Sequence, residues 1–174
     1  MTFPERGQEA LRRGRYSQAN SSYFITICTL NRVSGLAEPV LFDGLLNLLL
    51  ALEKDEVLHL RCLTLMPDHL HMVIRLGEPK TLSEALRFFK GRASVLLRAH
   101  GLAWQHGGYY EHRLRPDEPA GPVFRYLFLN PYRKGLLTAD AVWPYFYCGK
   151  EDWDWFQHET RNGEPYPEWL NIGA

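Results

Sequence analysis

Two histidines separated by one residue mark the most informative segment of the chain, residues 66–76 (MPDHLHMVIRL). Because side chains alternate between the two faces of a strand, His69 and His71 point to one side and Leu70 and Met72 to the other. Two imidazoles one strand step apart on one face can converge on a single metal ion. The residues alone also allow a pair of surface histidines on a half-exposed strand, so both interpretations stay open.

A tyrosine in the segment at residues 124–137 (FRYLFLNPYRKGLL) is the candidate nucleophile. On a helix, Tyr126 and Asn130 lie on one face about a turn apart. A tyrosine hydroxyl ionises far above neutral pH, so it needs a nearby cation and a polarised phosphorus to attack. A metal held by His69 and His71, with the Asn130 oxygen as a third ligand, would meet that need, and such ligation suits Mg²⁺ or Mn²⁺. For an arbitrary one of the nine tyrosines a core aromatic would be the better interpretation, and Tyr126 is singled out only by the family resemblance described below.

The elements that must position these residues follow from hydrophobic periodicity and from turn residues. The sequence predicts strands at residues 22–30, 58–65, 69–76 and 109–115, and helices at 41–56, 82–99 and 122–130. The last helix is expected to end before Pro131, because the residue preceding a proline is pushed out of the α region. The order predicts an α+β sandwich, with two helices on one face of an antiparallel sheet and the other face open.

The composition fits a single cytoplasmic domain. With 174 residues, 45% of them hydrophobic, the chain can bury one core. The charged N-terminus has no apolar signal segment, and the longest apolar run is too short to cross a bilayer. Cys28, Cys62 and Cys148 lie far apart, so we expect reduced thiols and no disulfide or zinc framework. The acidic, aromatic residues 138–174 are expected to be a loosely structured extension packed on the same domain.

The formal net charge is zero, which argues against a nucleic-acid partner. The charge is nevertheless segregated: residues 1–35 carry five Arg against two Glu, and residues 86–134 carry nine basic against three acidic residues. Such segregation can build a basic face on a neutral protein, although scatter among local helix faces would look the same. Contacts to DNA phosphates are expected from Arg12, Arg13, Arg15, Lys90 and Arg92.

Five segments in this order resemble the REP-associated tyrosine transposases, HUH enzymes that cut single-stranded DNA with one tyrosine. They are RRGRYSQANSSYFITICTLNR, MPDHLH, RFFKGRAS, WQHGGYYEHRLR and YLFLNPYRKGLL. The resemblance implies a ferredoxin-like fold in a catalytic domain of residues 1–137, with the active site on the open sheet face beside a C-terminal tyrosine helix. By it, His69 and His71 match the metal ligands, Tyr126 the nucleophile, and Asn130 a polar residue that completes the metal site.

The resemblance also implies a function: metal-dependent nicking and rejoining of single-stranded or hairpin DNA through a 5′-phosphotyrosine, especially at repetitive extragenic palindromes. It favours a monomer in the nucleoid, with a dimer as the alternative. A catalytically weak or inactive hairpin-binding protein of the same fold is the main rival, supported by the neutral charge and by Pro119, Gly121 and Pro122 ahead of the tyrosine helix. Replication initiators and relaxases share the histidine strand but usually have longer chains.

The segment before the tyrosine helix holds four further candidates. Tyr109 and Tyr110 could stack on unpaired bases or belong to the core. Glu111 and His112 could assist the metal or a proton transfer, or could be ordinary polar residues on a sheet rim.

Overall fold

The computed structural model describes residues 17–138 and 140–152, and the backbone of residues 160–161 and 164–165. The strands are β1 Ser22–Cys28, β2 Leu58–Met66, β3 His69–Leu76, β4 Tyr110–Arg113, β5 Phe146–Cys148, β6 Thr160–Arg161 and β7 Glu164–Pro165. The helices are α1 Pro39–Lys54, α2 Leu82–Ala99 and α3 Gly121–Arg133, with a 3-10 turn at Leu30–Arg32. The predicted DNA contacts Arg12, Arg13 and Arg15 lie outside the described residues.

Strands β1 to β5 form one antiparallel sheet in the order β4-β1-β3-β2-β5, and β6 and β7 form a separate two-stranded sheet. The predicted α+β class is therefore confirmed. Helix α2 has the predicted bounds because a capping box fixes its start: the Thr81 hydroxyl accepts from the Glu84 amide while the Glu84 carboxylate accepts from the Thr81 amide. No helix within the described ranges is long and apolar enough to cross a membrane.

The larger core lies between one face of the sheet and helices α1 and α2. Its strand residues include Tyr23, Ile25, Ile27, Leu60, Leu63, Leu65, Leu70, Met72 and Ile74. The strand pairing shifts from Leu60↔Ile74 to Cys62↔Val73 across a bulge in β2. The bulge adds one residue to β2, so Leu60 and Leu63 face the same helices although they are three positions apart.

The opposite face, predicted to be open, is covered in part by α3, which packs on β2 and β3. This second core consists of Phe24, Cys62, Val73, Leu114, Phe124, Leu127, Phe128, Leu129, Tyr132 and Cys148. Because β3 alternates between the two faces, the helix that carries Tyr126 packs on the side of the sheet to which His69 and His71 belong.

The prediction that α3 ends at Asn130 is wrong, because the helix continues through Pro131 to Arg133. A proline inside a helix removes the N–H that would pair with the carbonyl four residues earlier. Here that carbonyl belongs to Leu127, and the buried Thr64 hydroxyl donates to it at 2.8 Å. A side chain of β2 thus supplies the hydrogen bond that the proline removes, and the helix can run on.

The sequence analysis also missed a strand in the predicted extension. β5 pairs with the edge of β2 and places Cys148 directly opposite Cys62, and all three cysteines of the chain are free thiols, as predicted. The segment after β5 is tied to the sheet by Asp152, which is only 3% exposed. Its carboxylate accepts from Nε of Arg61 at 3.1 Å. This part of the extension is therefore ordered against the sheet.

Candidate active site

The register of the central strands determines which side chains surround the two histidines. His71 on β3 lies opposite Thr26 of β1 on one side and Thr64 of β2 on the other. His69 lies opposite Cys28 of β1 in the same way. Partners in register point to the same face of a sheet, so these residues form one patch under α3.

The two histidines face each other inside this patch. Their Nε2 atoms are 3.0 Å apart, and the rings meet edge to face with centroids 4.5 Å apart. Only 7% of His69 and 5% of His71 is exposed, so the interpretation as two surface histidines is wrong. Two nitrogen ligands held at right angles about 2.1 Å from one ion would be about 3.0 Å apart. The pair therefore fits the sequence-based hypothesis of a shared metal ion.

Burial keeps both imidazoles in the form that can bind a metal. Desolvation lowers the pKa of His69, and the Asp68 carboxylate beside it only partly offsets this. The pKa of His71 is lowered further, first by desolvation and then by His69 and Arg32. Both rings are thus neutral at pH 7, as ligation requires.

The other ring nitrogens of the pair are also engaged. Nδ1 of His69 lies 2.6 Å from Oδ1 of Asp68, and Nδ1 of His71 lies 2.7 Å from the Thr26 hydroxyl. The rings are therefore held at both ends, with their Nε2 atoms directed at each other. Sequence analysis did not single out Asp68, although it lies within the MPDHLH segment. Thr26 gave no local signal, because its role depends on pairing between β1 and β3.

Tyr126 lies against this pair. Its ring centroid is 5.4 Å from that of His71. Phe24, which sequence analysis also missed, stacks on His71 at 5.4 Å and meets the Tyr126 ring at 5.9 Å. Tyr126 is only partly buried, whereas Phe124 in the same helix is wholly buried. The candidate nucleophile thus lies at the edge of the second core, beside the histidines.

Asn130, one helical turn after Tyr126, is 4% exposed, and its amide nitrogen has no hydrogen-bond partner among the described residues. A buried amide group without a partner is costly. A half-turn of the amide would present its oxygen at the same place, where it could bind a cation. No group of three His, Cys, Asp or Glu suited to a metal occurs in the described part of the chain. Asn130 therefore stays the predicted third donor beside His69 and His71.

The two predicted DNA contacts on α2 lie on the other side of the sheet, since α2 packs on the face opposite the histidines. The Lys90 ammonium donates to the carbonyls of Gln105 at 3.2 Å and Gly108 at 3.1 Å, and burial lowers its pKa. Arg92 is exposed, with its guanidinium 4.2 Å from the centre of the Phe88 ring. The structure does not bring either residue to the histidines.

The pairing of β4 with β1 places two candidates from the segment before the tyrosine helix, Tyr110 and Glu111, on opposite faces of the sheet. Tyr110 pairs with Thr26, and its ring is 6.2 Å from that of Phe24, on the histidine face. Glu111 pairs with Ile25, so its side chain belongs to the opposite face and does not meet the histidines.

The other two candidates of this segment also have structural partners. Tyr109 packs against the larger core. His112 bonds through Nε2 to the Glu118 carboxylate at 2.8 Å.

Comparison with known proteins gives the family of this site. The family model described as "Transposase IS200 like" matches residues 17–113, more than half of the chain. The chain belongs to the IS200-like transposases. The match includes the histidine strand and ends before α3. No curated protein sequence matches the chain.

Two solved structures resemble this transposase. One is a REP-associated tyrosine transposase bound to a REP hairpin, with a TM-score of 0.60 and 22% identity over 71% of this chain and 73% of that one. The other is a putative transposase from Deinococcus radiodurans R1, with a TM-score of 0.47 and 17% identity over 71% and 94% of the two chains. The first likeness shows that the fold is shared.

Proposed function

We propose that this transposase is an HUH-type DNA transesterase of the REP-associated kind, which nicks and rejoins single-stranded or hairpin DNA with Tyr126 as nucleophile. The observation that carries the proposal is the Tyr126 ring 5.4 Å from His71, whose Nε2 lies 3.0 Å from that of His69. A phenol beside two converging imidazoles suits metal-assisted attack on a phosphate.

His69, His71 and the Asn130 amide would hold a Mg²⁺ or Mn²⁺ ion. Hard cations of this kind keep several positions for water or phosphate oxygens, so two imidazoles and one amide are a sufficient protein contribution. When bound, the ion neutralises charge on the phosphate and orients it. The buried amide nitrogen of Asn130 without a partner among the described residues supports this assignment, because a half-turn of the amide would put the oxygen in its place, where it could face a cation.

The reaction transfers one phosphodiester into another. The Tyr126 oxygen forms a bond to phosphorus as the bond from phosphorus to the 3′-oxygen breaks. The phenolic proton passes to solvent, and the leaving 3′-oxygen takes up a proton to become a free hydroxyl. The product is a 5′-phosphotyrosine, and attack by another 3′-hydroxyl reverses the step and rejoins DNA. No external energy source is needed, because the number of ester bonds is unchanged.

The proposed substrate is a hairpin from a repetitive extragenic palindrome. The solved transposase of the same fold is bound to a REP hairpin, which supports this choice. DNA contacts are proposed for Arg12, Arg13, Arg15, Lys90 and Arg92, those on α2 at a distance from the histidines. The protein is expected to act as a monomer.

A covalent adduct is the readout that tests this function. The protein is incubated with hairpin DNA labelled on its 3′ side, with Mn²⁺ or with EDTA, and separated on a denaturing gel. A labelled band at the mass of protein plus DNA is expected with Mn²⁺ and is expected to be absent with EDTA. An adduct band of equal intensity in EDTA would show that the reaction does not need a metal ion.

A hairpin-binding protein without cleavage activity is the second candidate. Two observations favour it: the net charge is zero, and α3 begins at Gly121-Pro122 without a side-chain cap, which would hold Tyr126 less rigidly. Under this alternative, hairpins that bind give no adduct under any condition, so the same gel decides between the two.

A further inference from the structure

The carboxylate of Asp68 bridges a histidine of the proposed metal pair and an arginine. Its Oδ1 lies 2.6 Å from Nδ1 of His69, and its Oδ2 lies 2.7 Å from Nε of Arg32. The Asp68 side chain is 23% exposed, whereas that of His69 is only 8% exposed. Each carboxylate oxygen thus has its own partner, His69 for Oδ1 and Arg32 for Oδ2. A rotation of the carboxylate would break at least one of these two contacts.

The backbone on both sides of this bridge is held in place by the loop that follows β1. The Asp68 carbonyl accepts from the amide of Thr29 at 2.9 Å and from its hydroxyl at 2.9 Å. The Pro67 carbonyl accepts from the amides of Gly35 at 2.9 Å and Leu36 at 2.8 Å. The turn that precedes the histidine strand is therefore clamped by four hydrogen bonds, which leaves Asp68 little freedom to change its direction.

Arg32 reaches the bridge from an uncommon backbone conformation. Its φ is +57°, and that of the preceding Asn31 is +54°. Non-glycine residues rarely adopt this left-handed region, so the surrounding contacts must maintain it. The conformation places the Arg32 guanidinium between Asp68 and the Cys28 sulfur, to which Nη1 donates at 2.8 Å.

We infer that Asp68 is a positioning residue that keeps the proton of His69 on Nδ1, and that Arg32 keeps Asp68 in the orientation needed for this. An ionised carboxylate only accepts hydrogen bonds, so the facing Nδ1 must carry the proton. The lone pair of the neutral ring then lies on Nε2, which faces His71. The inference rests on the proposed function, because the Nε2 lone pair has a role only where His69 binds a metal ion through it.

Replacing Asp68 by asparagine should move the proton. Arg32 is donor-only, so it will attract the oxygen of the new amide and turn its NH₂ group toward Nδ1 of His69. An NH₂ donor there favours the opposite tautomer, with the proton on Nε2, where it blocks ligation. If Arg32 is also replaced, by alanine, the amide is free to turn its oxygen back to His69. The second substitution should therefore repair part of the damage from the first.

The test measures the tautomer and the metal affinity separately. Nitrogen NMR of the imidazole rings is recorded on the metal-free protein, and Mn²⁺ is titrated by calorimetry. The variants are Asp68→Asn, Asp68→Asn with Arg32→Ala, and Asp68→Glu, which keeps an acceptor-only group. Asp43→Asn on the exposed side of α1 is the control for the loss of one negative charge. The backbone amide spectrum checks that each variant is folded.

In the wild type and in Asp68→Glu the proton should lie on Nδ1 of His69. In Asp68→Asn it should move to Nε2, and Mn²⁺ should bind about 10- to 100-fold more weakly. The double variant should recover part of both changes, and Asp43→Asn should change neither. A proton on Nε2 in the wild type, or an unmoved proton in Asp68→Asn, would overturn the inference. If the tautomer shifts as expected but the wild type binds no Mn²⁺, the positioning role stands and the proposed metal site fails.

Discussion

The Thr64 hydroxyl donates a 2.8 Å hydrogen bond to the carbonyl of Leu127, the acceptor that Pro131 deprives of its helical partner. Thr64 is also the β2 neighbour of His71 in the sheet register. One buried side chain thus joins the strand beside the histidine pair to the helix that carries Tyr126. The link therefore helps to fix α3, and with it the proposed nucleophile Tyr126, against the strand of the histidine pair.

Thr64→Val should lower the free energy of unfolding by about 1–3 kcal/mol, because the Leu127 carbonyl loses the donor that replaces the missing N–H of Pro131, with little change in side-chain volume. Urea denaturation followed by circular dichroism measures the change. Pro131→Ala supplies the matched background, since an alanine at 131 restores an N–H that can donate to the same carbonyl. In the Pro131→Ala background, Thr64→Val should therefore lower the free energy of unfolding by less than it does in the wild type. An equal cost in both backgrounds would show that the threonine does not compensate for the proline.

Acid should destabilise the metal-free protein in the range where the two histidines titrate. Burial lowers the pKa of His69 and of His71 below the ordinary 6.5, so below that pH the unfolded chain takes up protons that the folded chain does not. Stability should be constant above pH 7 and fall below pH 6.5 by up to about 1.4 kcal/mol per pH unit for each ring. Urea denaturation in EDTA at pH 7.5 and 5.5 measures this. His71→Gln should lose less stability over the same interval, and an identical loss would contradict the assignment.

Arg92→Gln should weaken hairpin binding and reduce the slope of log affinity against log salt by about 1, as expected when one phosphate contact is lost. Because the side chain is exposed and loses its contact with the Phe88 ring, stability should fall by at most about 1 kcal/mol. Arg98→Gln, an exposed charge in the last turn of the same helix, is the matched control. Fluorescence anisotropy at several salt concentrations measures the slopes. Equal slopes for Arg92→Gln and Arg98→Gln would remove Arg92 from the proposed DNA surface.

Lys90→Gln should reduce the salt slope by the same amount and should also cost about 1 kcal/mol of stability, since the ammonium holds the carbonyls of Gln105 and Gly108. The combination distinguishes a lysine that contacts DNA from one with a structural role alone. A loss of stability with an unchanged slope would assign Lys90 to the structure only.

Asp152→Asn should destabilise the protein by about 2–3 kcal/mol, because it leaves the partly buried Arg61 guanidinium without its carboxylate. Arg61 also lies 4.9 Å from the centre of the Phe124 ring, so the loss should extend to α3. Asp140→Asn, an exposed acid of the same segment, should have little effect. Urea denaturation compares the two variants, and similar values for both would contradict the role assigned to Asp152.

The central elements could be predicted because their signals are local. The bounds of β3 and α2 were predicted correctly, since alternation, a Pro-Asp turn and the Thr81–Glu84 capping box are all visible in the sequence. The C-terminal end of α3 could not be predicted from local sequence. The group that compensates for Pro131 is Thr64 on β2, which is 63 residues away from Leu127. β5 could not be predicted either. It has only three residues, too few to show an alternating hydrophobic pattern, and it is defined by its pairing with β2.

The residues of the candidate site also fall into two groups, those identified from the sequence and those brought there by strand pairing. Strand alternation was enough to predict that His69 and His71 share one face, whereas the resemblance to the REP-associated tyrosine transposases was needed to single out Tyr126 and Asn130. Thr26 and Phe24 adjoin His71 only because β1 pairs with β3 in one register, which the sequence does not specify. The contact of Arg32 with Asp68 likewise depends on the loop after β1 folding back on the turn before β3.

The most direct test of the account is whether Tyr126 carries the DNA. The wild type, Tyr126→Phe and Tyr132→Phe are incubated with 3′-labelled hairpin DNA and Mn²⁺, and the adduct is digested and analysed by mass spectrometry. Tyr132 is the matched control, because it lies on the same helix but bonds through its hydroxyl to the Ala141 carbonyl. We expect a nucleotide on the Tyr126 peptide, an adduct from Tyr132→Phe and none from Tyr126→Phe. An undiminished adduct from Tyr126→Phe would contradict it.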